Sequence, residues 1–278
     1  MAKPLEPGLE AYPGCRLVQR IGAGGFAEVW QAKAPNGKTV ALKFLPCDSS
    51  HDSVTELRSL QAIRALSHPN LIRIFGVWSN LGYIIVSMEV AEGSLADLLE
   101  AYQTEYGSAI PREQVYLLLT QAAEALDFLN KRQHDFGGAQ VAIQHCDVKP
   151  SNFLLFGDTV KLSDFGLASS ISCQLQGHRR AGTLAYTAPE VFQGRLSDWT
   201  DQFSLGVTYC ELRSGRLPYA QVPSSFQGDY VRPQPDLSML PAPERPIVAR
   251  ALAAVPHARW PSCSAFINQL FPYLTEAA

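Results

Sequence analysis

The spacing of apolar residues in this chain changes near residue 90, and that change limits the folds open to it. Upstream, Cys15 to Ile21, Glu28 to Ala34 and Thr39 to Leu45 alternate apolar and polar positions, and Tyr83 to Val90 is a further apolar run. Period two sends successive side chains to opposite faces of a strand, so these runs read as strands. The exception is Ser53 to Leu66, where Leu57, Leu60, Ile63 and Leu66 stand three apart and predict one helix with a buried face. Downstream, Arg112 to Asn130 carries Val115, Leu118, Leu119, Ala122, Leu126 and Leu129 at helical spacing, with Pro111 suited to its first turn. Asp201 to Arg213 and Pro246 to Ala254 read as helices too. Strands followed by helices predict an α+β chain of two lobes, joined near Glu89 to Gly93 where Ala91-Glu92-Gly93-Ser94 ends the last strand. A ligand is expected in a cleft between such lobes.

The turn between the second and third strands is marked by A-P-N-G-K. Asn36-Gly37 predicts a tight hairpin of type I′, in which both central residues take positive φ. With 278 residues, 46% of them hydrophobic, the chain can bury one large core or two smaller ones. A net charge of −3 argues against nucleic acid as a partner, because phosphate-backbone binders carry a basic surplus. The six cysteines lie far apart with no C-x-x-C pair, which argues against a cysteine-held metal and for a reducing compartment. No apolar run reaches the roughly 18 to 20 residues that span a bilayer. The start, M-A-K-P-L-E-P-G, lacks the apolar core of a signal peptide. These features predict a cytoplasmic chain with no membrane segment, although a longer parent protein would present the same stretch.

Several stretches carry chemistry. Ile21 to Trp30 reads I-G-A-G-G-F-A-E-V-W, and glycines at 22, 24 and 25 let backbone N–H groups approach phosphate oxygens without a Cβ in the way. A glycine-rich hairpin turn reads the same. Its place between two strands, rather than between strand and helix, argues against a dinucleotide-binding fold. Lys43 lies in V-A-L-K inside an apolar strand, where an unpaired charge is costly, and Glu56 on the following helix is its natural partner. Ser53 to Glu56 also fits a capping box, in which Glu56 bonds back to the backbone. His145 to Asn152 reads H-C-D-V-K-P-S-N: one carboxylate, one cation and one amide within a single loop. Asp164 follows a predicted strand in K-L-S-D-F-G-L-A, and with Asn152 it offers the hard oxygen ligands that suit Mg²⁺.

In their order along the chain these motifs resemble those of the eukaryotic-type serine/threonine protein kinases, with a bacterial member suggested by the short C-terminal part. V-A-L-K resembles the ATP-positioning strand, H-C-D-V-K-P-S-N the catalytic loop, and G-T-L-A-Y-T-A-P-E (Gly182 to Glu190) the end of the activation segment; D-F-G is complete. The resemblance runs from about Cys15 to Leu270. It implies one kinase domain over residues 1–278: a small β-rich N-lobe to about 89, a hinge at 89–93 and a larger helical C-lobe from 94. It implies ATP and Mg²⁺ as cofactors and a protein carrying a serine or threonine hydroxyl as acceptor. Asp147 would orient that hydroxyl and take its proton, Lys149 would stabilise the moving γ-phosphoryl, and Asn152 and Asp164 would hold Mg²⁺. Lys43, paired to Glu56, would grip the α- and β-phosphates. Ile21, Gly22, Gly24, Val29 and Ala41 would line the nucleotide, Met88 would stand as gatekeeper, and Glu89 and Ala91 would offer backbone bonds to adenine. Thr183 and Lys149 resemble the serine/threonine branch. Asp201 would brace the catalytic loop, and Arg259 would pair with Glu190. A nucleotide-binding pseudokinase and a small-molecule phosphotransferase of the aminoglycoside-kinase type are the other readings; Lys149, Thr183 and A-P-E argue against the second.

The chain departs from the family at Cys146, where most members have an arginine that grips a phosphorylated activation segment. Cysteine makes no bidentate phosphate contact, so activity independent of that phosphorylation is expected; Ser169, Ser170 and Ser172 read as autophosphorylation sites or, in preference, as ordinary loop serines. Ala27 replaces the third glycine of the phosphate loop. Lys131 to Ile143, with Gly137-Gly138, reads as an inserted surface hairpin.

Overall fold

The structure, a computed structural model, describes residues 3–24, 27–47, 57, 60–61, 63–136, 139–164, 184–221 and 230–273. It divides into two compact units, one of Met1–Ser67 with Leu71–Ala91, the other of His68–Asn70 with Glu92–Ala278.

The first unit is built on a six-stranded antiparallel sheet. Its strands are β1 (Glu10–Tyr12), β2 (Cys15–Gly24), β3 (Ala27–Lys33), β4 (Thr39–Pro46), β5 (Ile74–Asn80) and β6 (Tyr83–Met88), in the order β1-β2-β3-β4-β6-β5. Alternation within β4 decides the two faces. Val40, Leu42 and Phe44 pack with Leu17, Trp30, Ala32 and Ile85 in one cluster. Leu45 faces the other way, with Leu60, Val77, Ile84 and Val86. Leu60 and Ile63, from the helix predicted after β4, are both buried, as their spacing implies; half of that stretch, Glu56 included, lies outside the described residues.

The hairpin between β3 and β4 forms, but its turn is not type I′. Gly37 takes φ 78°, while Asn36 is not among the described residues with positive φ. The Gly37 N–H donates to Ala34 O and the Ala34 N–H to Lys38 O, which is a three-residue loop closed by a left-handed glycine. Pro35 accounts for this, since its ring fixes φ at a negative value in the first loop position.

In the second unit, β7 (Gly93–Ser94), β10 (Phe153–Phe156) and β11 (Thr159–Leu162) form a small sheet. The helices are α1 (Leu95–Tyr106), α2 (Arg112–Asn130), α3 (Pro189–Phe192), α4 (Thr200–Ser214), α5 (Arg245–Ala251) and α6 (Cys263–Leu270). The buried stripe of α2 is Val115, Leu118, Leu119, Ala122, Leu126 and Leu129, as predicted, with Ala123 and Ala125 added. Small residues on α2 and α4 let helices approach: a Cβ on Gly206 of α4 would meet Leu252 Cδ2 at 3.0 Å. Beyond α2, β8 (His134–Phe136) and β9 (Ala139–Val141) pair as the predicted hairpin, which His134 anchors through a 2.8 Å bond from its Nε2 to Phe128 O. No helix among the described residues is long and apolar enough to cross a membrane.

Candidate active site

The loop from His145 to Asn152 owes its shape to one buried carboxylate. Asp201, fully buried near the start of α4, accepts the His145 N–H at Oδ2 (2.7 Å) and the Cys146 N–H at Oδ1 (2.9 Å). Burial pushes the Asp201 carboxyl above its ordinary value, and His145 with the two backbone donors pulls it back. The brace matters because Cys146 sits at φ 63°, a left-handed conformation that costs a non-glycine residue on the order of 1–3 kcal/mol. The His145 ring is fixed from both sides: Nε2 lies 2.8 Å from Ser163 O, and Nδ1 accepts the Asp147 N–H at 3.3 Å. That pattern selects the tautomer with the proton on Nε2.

Within this frame three of the predicted residues meet. Lys149 Nζ stands 3.0 Å from each carboxylate oxygen of Asp147. Asn152 Nδ2 donates to Asp147 O (2.7 Å) and to Asp147 Oδ2 (2.9 Å). The Asp147 side chain is thus buried yet held by a cation and an amide in one orientation. The amide nitrogen of Asn152 thus serves Asp147, and its Oδ1 is an acceptor. Ser163 ties Asp164 to the same loop, with its N–H (2.8 Å) and Oγ (3.0 Å) both donating to Asn152 O. Asp164 itself takes φ 63°. An amide oxygen and a carboxylate are hard donors of the kind Mg²⁺ accepts when phosphates and water complete its shell, so the donor set fits that ion.

In the first unit the sheet register gathers the residues expected around a nucleotide. Gly22 pairs with Val29, Val29 with Lys43 and Lys43 with Val86, in a row across four strands. Ala41 pairs with Met88 two positions along, on the face that Lys43 shares. Ile21 falls in the register shift between Arg20 and Gly22 and is 44% exposed; Gly24 pairs with Ala27 at the strand end. Glu89 donates its N–H to Arg73 O and accepts the Arg73 N–H on Oε1, which fixes the chain just before Ala91. Gly25, Glu56 and Thr183 lie outside the described residues, as do Ser169, Ser170 and Ser172.

The stretch after Thr183 is tied down at several points. Glu190 and Arg259, both buried, form a two-pronged ion pair at 2.7 and 2.9 Å, as expected. Tyr186 OH donates to Glu211 Oε2 at 2.5 Å, and Ser204 Oγ donates to Tyr186 O at 2.8 Å. Burial pushes both the Tyr186 hydroxyl and the Glu211 carboxyl up. Sequence reasoning missed Ser204, Glu211 and Arg232, whose Nη2 donates to Leu184 O and Thr187 O. No spacing rule points to them; each is chosen by a carbonyl or hydroxyl far off in the chain.

Residues 15–268 match the description "Protein kinase domain", and the chain belongs to that family. It is 28% identical to the serine/threonine-protein kinase PknF of Mycobacterium tuberculosis, over 96% of this chain and 57% of that protein. It is 33% identical to the serine/threonine-protein kinase TIO of Arabidopsis thaliana, over 76% of this chain and 15% of that protein. A PTI1-like tyrosine-protein kinase 3 of the same plant is 31% identical over 71% of this chain and 50% of its own length. The chain therefore spans little more than half the length of the mycobacterial relatives.

Proposed function

We propose that this chain is a single kinase domain that transfers the γ-phosphoryl group of ATP to serine and threonine hydroxyls of proteins. The observation that carries the reading is the buried Asp147 carboxylate, held at once by Lys149 and Asn152 in a loop that Asp201 braces. Phosphoryl transfer has a loose transition state, so catalysis comes from positioning and from neutralising charge. Asp147 orients the acceptor hydroxyl and receives its proton. Lys149, beside it, meets the charge on the moving group. Asn152 and Asp164 hold Mg²⁺, which draws charge off the phosphate oxygens. Lys43, with Glu56, takes the α- and β-phosphates, while Ile21, Gly22, Gly24, Val29, Ala41 and Met88 enclose the nucleotide and the backbone at Glu89 and Ala91 meets adenine. Thr183 borders the acceptor. Incubation with γ-labelled ATP and a generic basic protein tests the reading: label transfer that needs Mg²⁺ and stops with a chelator is expected. Nucleotide binding without transfer would instead mark a scaffold.

The same proposal extends to regulation. With cysteine at 146, the loop has no guanidinium to grip a phosphorylated activation segment. Changing Ser169, Ser170 and Ser172 together to alanine is expected to lower the peptide-kinase rate by less than about tenfold, or under about 1.4 kcal/mol of barrier. A larger fall, measured on the same peptide, contradicts this part.

A further inference from the structure

Arg232 is 9% exposed and has no carboxylate bonded to it among the described residues. Its guanidinium carbon stands 4.5 Å from the ring centroid of Tyr219, 5.5 Å from Phe203, 5.6 Å from Phe192 and 5.9 Å from Tyr230. Nη2 donates to Leu184 O and to Thr187 O, each at 2.6 Å, whereas Nε and Nη1 are buried and meet no acceptor among the described residues. A buried cation so placed is expensive, and ring faces recover only part of that cost. Two carbonyls alone could be satisfied by a neutral amide or a water. What arginine adds is a pair of charge-assisted bonds from a planar group whose plane the rings hold fixed.

Those bonds fall on one short turn. Thr187 N–H donates to Leu184 O at 3.3 Å, and Ser204 takes Tyr186 O. The carbonyls of Leu184, Tyr186 and Thr187 are therefore all held, and the turn leads directly into Glu190 and its buried partner Arg259. We propose that Arg232 is a positioning residue for the polypeptide acceptor, holding the Leu184–Thr187 turn in the shape against which the peptide docks. This rests on the protein-kinase reading above. Arg232 is assigned no contact with nucleotide or reacting atoms; it acts through the turn.

Steady-state kinetics of Arg232→Met and Arg232→Lys, with peptide and ATP varied separately, test the proposal. Arg232→Met is expected to raise the peptide KM by about tenfold or more, the scale of one lost charge-assisted bond. Its ATP KM is expected to stay within about twofold, and Arg232→Lys to recover part of the loss because it keeps the charge but not the fork. Hydrogen exchange on the same variants guards against a folding defect: faster exchange confined to the amides of 184–187 supports positioning. Equal acceleration through α4, or an unchanged peptide KM, overturns it. If the unaltered chain transfers no phosphoryl group, the kinase reading fails by itself. Binding of a fluorescent peptide to the unaltered chain and to Arg232→Met then still decides: weaker binding by the variant supports positioning, and equal affinities overturn it.

Discussion

Replacing Asp147 by asparagine is expected to lower the rate of phosphoryl transfer by about 10²- to 10⁴-fold, the range of a well-placed general base. The change is nearly isosteric, so the effect should come from chemistry. An amide cannot take the hydroxyl proton. It also offers a donor where Asn152 Nδ2 already donates to Oδ2, and it removes the charge that faces Lys149 Nζ at 3.0 Å on both oxygens. The loss should appear in kcat, with ATP affinity measured by titration changing little, because the nucleotide contacts assigned above are made by other residues. A variant retaining more than about a tenth of the normal kcat is outside the range such a base supplies and contradicts the role given to Asp147.

The largest effect on stability is expected at Arg259. Its guanidinium gives Nη1 and Nη2 to the two oxygens of Glu190, Nη1 also to Trp199 O, and Nε to Ala253 O. Arg259 is 2% exposed and Glu190 5%. Arg259→Met leaves a buried carboxylate whose remaining donors among the described residues are the Thr200 and Ser197 hydroxyls, and breaking such a pair from one side costs about 3–5 kcal/mol. The melting midpoint should fall by on the order of 10 °C. Adding Glu190→Gln to that variant should recover part of the loss, since the stranded charge rather than the missing contact dominates. A loss under about 1 kcal/mol for Arg259→Met, or no recovery in the double variant, shows that the pair is not the strut described.

How much of the fold and site is legible in the sequence follows from how local each cause is. The stripe on α2 can be read because every apolar residue in it answers to one period. The site loop can be read because Asp147, Lys149 and Asn152 lie within six residues of one another and carry the chemistry themselves. Among the elements that escape the sequence reading, α1 and β5 do so for different reasons. For α1 a local signal exists: Ser94 caps the helix and accepts the Asp97 N–H, while Asp97 Oδ2 accepts the Ser94 N–H. S-x-x-D is visible in the sequence, yet the stretch there reads only as the end of a strand. In β5, Gly76 and the exposed Phe75 break the alternation that marks a strand. The type I′ turn fails at Pro35, whose fixed φ outweighs the Asn-Gly signal. Arg232 shows the other limit. It sits in V-R-P-Q-P with no periodicity, and its burial is decided by Phe192, Phe203, Tyr219 and Tyr230, brought together only by the fold.

In the proposed function the Asp147 centre moves a phosphoryl group onto an alcohol of a protein. Acid hydrolysis of the labelled acceptor, followed by separation of the phosphoamino acids, tests it most directly. Phosphoserine and phosphothreonine are expected from the unaltered chain with Mg²⁺ and ATP, and neither above background from Asp147→Asn. Label on tyrosine alone, or equal label from both chains, contradicts it.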